Sequence, residues 1–294
     1  MEIRLLRYFL AIASEENISK AAKLLDITQP TLSRQLKQFE KSLGMKLFYR
    51  EKNKMRLTES GQLLKSKAEE IVFLSDRMEQ EFLNRKETVL DGTIMIGCVE
   101  ADNSDTIAMF LEEMIRQYPN VRFSIFSGTS DTIIERLDKG LLDIALLLEP
   151  ISAEKYEKII FPRKERWGLL VSSESLLAEK TTISVNELID IPLLCSSRLE
   201  IQTMIQSWLP LENQKLNIVG TFNLIFNVFS LVENKVGSAL TIEGAITNRK
   251  NENMKFLPII PEIQTNCVLI WKKNNLLTPT IYNFIDRIKK AFES

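Results

Sequence analysis

The chain has 294 residues, 45% apolar and 26% charged, an ordinary soluble composition that suits two domains or three small ones. With no histidine and only three widely spaced cysteines (Cys98, Cys195, Cys267), it excludes Ser-His-Asp and Cys-His catalysis and zinc held by histidines or by four cysteines, and it fits a reducing compartment. The net charge of −1 hides an asymmetry: residues 1–58 carry twelve Lys/Arg against six acids, a head of +6 on a body of −7, as expected of a polyanion-binding module fused to something else.

No apolar run approaches the ~20 residues of a membrane helix, and Met1–Leu10 lacks a signal-peptide core, so a cytoplasmic protein without membrane contact is expected. Leu5, Leu6, Phe9, Leu10 and Ile12 recur at helical spacing and predict a first amphipathic helix. Ser19 is placed to cap a short helix Lys20–Leu25, whose Ala21 and Ala22 let a neighbour approach closely. A third helix is expected over about Pro30–Leu43, started by Gln29-Pro30 and ended by Gly44. Its Leu32, Leu36, Phe39 and Leu43 share one face, with Thr31, Ser33, Arg34 and Lys37 elsewhere. Two helices joined by a tight turn, the second opening with small polar groups and then Arg, read as a helix-turn-helix that can enter a major groove. Lys46–Arg50 and Met55–Thr58 flank the basic turn Glu51–Lys54 and read as a two-stranded wing.

From Glu59 to about Leu90 there is no proline and Gly61 is the only glycine. Leu57, Leu64, Ile71 and Met78 repeat every seven residues, with Ala68, Ser75 and Phe82 offset by four, which predicts a long helix that pairs two chains. After Asp91-Gly92, strands at Thr93–Gly97, Val121–Phe126 and Asp143–Leu148 alternate with helices at Asp105–Gln117 and Asp131–Lys139, a parallel α/β pattern. A second series has strands Trp167–Val171, Leu193–Cys195, Leu216–Phe222 and Ser238–Thr241, and helices Ile201–Trp208 and Leu224–Val232. Thr265–Trp271 reads as a returning strand and Thr278–Phe292 as a final helix, so the chain crosses between two lobes near Phe161–Glu165 and Gln264–Val268.

The run Asn17-Ile18-Ser19-Lys20-Ala21-Ala22-Lys23-Leu24-Leu25, then Thr28-Gln29-Pro30-Thr31-Leu32-Ser33-Arg34-Gln35-Leu36, Phe39-Glu40, Leu43-Gly44, Leu47-Phe48 and Leu57-Thr58-Glu59-Ser60-Gly61, resembles the winged helix-turn-helix of LysR-type transcriptional regulators nearly position by position. Tyr118-Pro119-Asn120-Val121, Leu137–Ala145 and Val236–Leu240 resemble that family's effector domain. The expected fold is therefore multidomain: a helical winged module over 1–58, a dimerising linker helix over 59–90, and a two-lobed α/β periplasmic-binding-protein-like domain over 91–294. Lobe 1 would take about 91–162 and 267–294, and lobe 2 about 163–266.

The resemblance implies that Gln29, Pro30, Thr31, Ser33, Arg34 and Lys37 face double-stranded DNA with dyad symmetry, with Arg50, Lys54 and Arg56 in the wing. It implies an effector pocket at the carboxyl ends of strands, formed by Val99, Glu100, Ala101, Ser127, Thr129, Ser196, Ser197, Arg198, Phe222 and Asn223. Glu100 and Arg198 together would suit a zwitterion, or Arg198 alone a carboxylate. It further implies a homodimer or homotetramer that is not an enzyme and needs no cofactor or metal, with RNA polymerase contact left open. A peroxide-sensing role would need an exposed, low-pKa thiol, for which Cys195, just before a helix, is the candidate.

Overall fold

The computed structural model describes residues 2–52, 54–84, 90–152, 154–211, 213–247, 252–273 and 276–293. The chain divides into two compact units, Met1–Thr88 and Val89–Ser294.

In the first unit, helix α1 (Ile3–Glu15) buries Leu6, Phe9 and Ile12, the apolar stripe of its sequence. Helix α2 (Ile18–Leu24) is capped by Asn17, whose side chain accepts from the N–H groups of Ser19 and Lys20 at 2.9 and 3.0 Å. The cap is thus Asn17 and not Ser19, because an asparagine one residue earlier already satisfies the free amides. Helix α3 (Gln29–Leu43) starts from Thr28 and ends at Gly44, which adopts φ +69°, the left-handed conformation a glycine provides cheaply. Leu32, Leu36 and Phe39 pack with Phe9, Ala21 and Ala22 in one core. Strands β1 (Phe48–Glu51) and β2 (Lys54–Leu57) pair antiparallel, with Phe48 opposite Leu57 and Arg50 opposite Met55.

Helix α4 (Glu59–Asn84) follows; the rest of the expected helix, 85–89, lies outside the described residues. Its heptad pattern divides in a way the sequence did not show. Ala68 and Ser75 are buried, and Ala68 joins Leu64 and Val72 in the core shared with α1. Arg7 of α1 fixes the same junction by pairing with Asp76 at 2.5 Å. The helix therefore has a packing partner in its own unit, on part of the stripe expected to pair two chains. Leu63, Ile71, Phe73, Leu74, Met78 and Phe82 remain exposed.

The second unit holds two sheets. Strands β3 (Gly92–Cys98), β4 (Val121–Ser127) and β5 (Ile144–Leu148) are parallel, separated by helices α5 (Ser104–Gln117) and α6 (Ser130–Asp138). Strand β6 (Tyr156–Ile160) was not expected from the sequence. The chain then crosses into the second lobe through β7 (Glu165–Ser172), β8 (Ile183–Ser184), β9 (Leu193–Ser196), α7 (Leu199–Gln206), β10 (Ile218–Phe222), α8 (Val228–Glu233), β11 (Ser238–Ile242) and β12 (Met254–Ile260). Strand β12 also escaped the sequence reading: Pro258 argues against a strand there. It returns through β13 (Gln264–Thr265), β14 (Cys267–Lys272) and α9 (Pro279–Glu293). The first sheet runs β4-β3-β5-β14-β6 and the second β10-β9-β11-β7-β12-β8.

The two crossings pair with each other, since Gln264 and Thr265 lie opposite Arg166 and Glu165. Glu165 there is only 2% exposed, and its carboxylate accepts from the side chain of Asn103 at 3.0 Å. Burial and the charge of nearby Asp102 raise its pKa above the ordinary carboxylate value, against the opposing Asn103 bonds and Arg163. A raised carboxyl pKa contributes stability that is complete below the unfolded value and lost as pH climbs through the folded one. Glu165→Gln should therefore raise the melting midpoint of this unit more at pH 8 than at pH 5, as read by calorimetry. A variant that loses more stability at pH 8 than at pH 5 would contradict this.

Candidate DNA-reading face and effector cleft

The outer face of α3 forms a shallow open groove of about 490 Å³ lined by Gln29, Pro30, Ser33, Arg34, Lys37, Gln38 and Lys41. Arg34 and Lys37 are exposed while Leu32, Leu36 and Phe39 fix the opposite face in the core, so packing aims the cations outward. Thr31 stands apart from the groove, its hydroxyl 2.8 Å from that of Thr28, which caps the helix. Gln38 and Lys41 extend the face beyond the residues singled out in sequence; helical periodicity from Arg34 would have found both.

Glu40, on the buried side of α3, accepts from Leu47 and Phe48 N–H at 2.9 and 3.3 Å and from Lys46 Nζ at 2.8 Å. It ties the reading helix to the first wing strand.

In the wing, the three cations fare differently. Lys54 donates to Glu16 at 2.9 Å, and Arg56 donates to the other oxygen of the same carboxylate. Glu16 ends α1 at φ 48°, and its carbonyl accepts from Met55 N–H at 2.8 Å, so it holds β2 by backbone and side chain together. The Lys54 hydrogen bond, more than burial opposes it, keeps the Glu16 pKa below the usual range, with Arg56 adding to the effect. Arg50 is exposed on β1 beside Tyr49, and no acid holds it among the described residues.

In the second unit, a cavity of about 110 Å³ lies between the lobes at the carboxyl ends of β3, β4, β5, β9, β10 and β11. Of the sequence-selected residues it brings together Val99, Glu100, Thr129, Ser196, Arg198, Phe222 and Asn223. Ala101 is buried away from its lining, and Ser127 and Ser197 are exposed outside it. Strand positions invisible to loop reasoning supply much of the rest: Leu148, Trp167, Leu240, Thr241 and Ile242. Only a knowledge of which strands meet would have found them.

Two contacts bridge the lobes across this cavity. Glu100 accepts from Ile225 N–H at 3.0 Å, and Arg198 donates through Nε to both oxygens of Asp131 at 3.1 and 3.2 Å. Arg198 is nearly buried while Asp131 is more than half exposed. Thr129 caps α6 by accepting from Thr132 N–H, and Asn223 accepts from Leu224 N–H. The cysteines are all buried, and burial raises Cys98 and Cys195 to about 11 and Cys267 further still, which removes the thiolate a peroxide sensor needs. No helix among the described residues is long and apolar enough to cross a membrane.

Residues 87–293 match the LysR substrate binding domain family, and residues 3–62 match the bacterial regulatory helix-turn-helix protein, lysR family. The HTH-type transcriptional regulator CzcR of Bacillus anthracis is 26% identical over 293 residues, covering 99% of this chain and 98% of that one. The Hca operon transcriptional activator HcaR of Escherichia coli is 25% identical, covering 100% and 99%. In fold, the chain is similar to the LysR family regulator CbnR in its complex with target DNA, with a TM-score of 0.75 at 19% identity over 99% of this chain and 100% of that one. The chain belongs to the LysR family of transcriptional regulators, with a DNA-binding winged helix-turn-helix and an effector-binding α/β domain.

Proposed function

We propose that the chain is a cytoplasmic, non-enzymatic homodimer or homotetramer that reads a two-fold operator and adjusts that reading when a small molecule occupies the interlobe cavity. The observation that carries the DNA half is the outward row of Arg34 and Lys37 on α3, over a core that fixes its orientation. Gln29, Pro30, Ser33 and Arg34 enter the major groove, Lys37 and Lys41 lie along phosphates, and Thr31 acts mainly as the partner of the Thr28 cap. The exposed Ile71, Phe73, Leu74, Met78 and Phe82 on α4 support chain pairing through that helix. On the chain's own upstream intergenic DNA, hydroxyl-radical footprinting should show two protected patches about 34 Å apart, or a multiple of that. A single patch would contradict the dimer, and none would contradict operator reading.

Phosphate contact in the wing falls chiefly to Arg50 in this reading, which is supported by the pairing of Lys54 and Arg56 with Glu16. Each phosphate-neutralising cation contributes about 0.9 to the slope of log K against log salt. Arg50→Gln should therefore flatten that slope by about 0.9, and Lys54→Gln by less than half as much. Equal losses would show that DNA strips Lys54 from Glu16.

A ligand that favours one arrangement of the lobes over the other would shift the population of DNA-bound forms. The cavity meets that requirement, since both lobes line it and two bonds across it define one arrangement. A zwitterion or carboxylate, suggested by Glu100 and Arg198, would have to displace Asp131 or the Ile225 N–H.

A further inference from the structure

Within the cavity wall, Trp167 is 6% exposed, and its indole N–H finds no hydrogen-bond acceptor. The ring is held by β7, opposite Ile242, and packs edge-on against Trp208 at 5.4 Å between centroids. A buried donor without an acceptor is costly, and most native structures satisfy it with protein, water or ligand. Trp167 is part of the cavity wall, so a ligand there is one source of an acceptor.

Apart from Glu100 and Arg198 the lining carries no charge. Val99, Leu148, Ile201, Leu240 and Ile242 are apolar, and Thr129, Ser130, Ser196, Asn223 and Thr241 add uncharged polar groups. The two charged lining residues are already bonded across the cleft, Glu100 to Ile225 N–H and Arg198 to Asp131. An anion would lose its hydration beside two carboxylates, and Asp131 already takes the Nε and Nη2 donors of Arg198. A cation would leave the Trp167 donor unsatisfied.

Resting on the effector reading above, we propose that the cavity takes a compact uncharged molecule with an apolar body and one acceptor oxygen, and that Trp167 Nε1–H donates to that oxygen. Its size suits this class: an apolar cavity of about 150 Å³ accepts benzene, and this one is about 110 Å³. Such a ligand requires neither cross-lobe bond to break, so binding would add contacts to this arrangement of the lobes.

The test uses the full chain labelled with 15N at its three tryptophans, the Trp167 indole signal being assigned by its loss in Trp167→Phe. Isobutyramide, isobutyrate and isobutylamine share one skeleton as neutral, anionic and cationic probes. The expected result is a saturable downfield shift of the Trp167 indole proton with isobutyramide, and at least about tenfold weaker responses with the two ions. Ala245→Leu, which narrows the lining, should abolish the shift, and Asp131→Asn should leave it unimproved. Isobutyrate winning the comparison, and tightening further in Asp131→Asn, would overturn the proposal in favour of exchange at Arg198. Isobutylamine winning would overturn it in favour of Glu100. Probe binding that Ala245→Leu abolishes, without movement of the Trp167 signal, would remove Trp167 and leave the cleft reading standing. Probe binding that survives Ala245→Leu unchanged, or no binding of any probe, would overturn the proposal; the former would also put the ligand outside the cleft.

Discussion

Arg34→Ala should cut the protein's preference for its operator by about 5- to 150-fold while leaving its fold intact. The guanidinium is exposed on the reading face of α3, and its helix is fixed from behind by Leu32, Leu36 and Phe39. A bidentate arginine contact to a base edge is worth about 1–3 kcal/mol of discrimination, or roughly 5- to 150-fold in affinity for the correct sequence. Binding to random DNA should weaken far less, losing only one cation's share of the salt dependence. Titrations of operator and random duplexes at one salt concentration separate the two effects. An equal loss on both would place Arg34 on phosphate. Ligand responses of the second unit should be unchanged, because that unit has its own core.

Glu40→Ala should strongly destabilise the first unit. Removal of the carboxylate strands the N–H groups of Leu47 and Phe48, both buried, and releases Lys46. At about 1–3 kcal/mol for each of the two buried donors left unpaired, a total of about 2–6 kcal/mol is expected. For a unit of this size that lowers the melting midpoint by about 10 °C or more. Glu40→Gln keeps an acceptor oxygen and should lose less than half as much.

The pH dependence follows from the same geometry. Burial works to raise the Glu40 pKa, but the Lys46 and backbone bonds outweigh it and hold it below the usual value. A depressed carboxylate pKa gives stability that is present above the unfolded value, about 4.3, and lost as pH falls through the folded one. The wild-type midpoint should thus drop on acidification more steeply than that of Glu40→Gln. Parallel curves would show that the charge contributes nothing.

The sequence carried the parts of this molecule whose physics is local. Helix starts at Pro30, ends at Gly44, and the strand-helix alternation after Gly92 all depend on neighbours within a few residues. The charge asymmetry of the first 58 residues likewise needed no structure. What escaped were features made by distant segments. The seven-residue repeat of α4 looked like a single pairing stripe, yet Ala68 and Ser75 are covered by α1, and only a tertiary contact could reveal that. Arg50, Lys54 and Arg56 are equivalent as basic wing residues until Glu16, some forty positions earlier, takes two of them. In the cleft, the loops with polar residues were visible, but Trp167 and Asp131 were not, since Trp167 reaches the cleft from strand β7 and Asp131 finds Arg198 only in the opposite lobe. Strand β12 was hidden by Pro258, which sits in the sheet opposite Gly168.

The central claim is sequence-specific recognition of DNA by the winged unit of the intact chain. Its most direct test is the affinity of the full-length protein for its own upstream intergenic DNA and for a random duplex of equal length, at one fixed salt concentration. Specific regulators of this kind bind their sites about 10³- to 10⁷-fold tighter than other DNA. The expected result is a ratio in that range that falls by about 5- to 150-fold in Arg34→Ala; equal affinities for the two duplexes would contradict it.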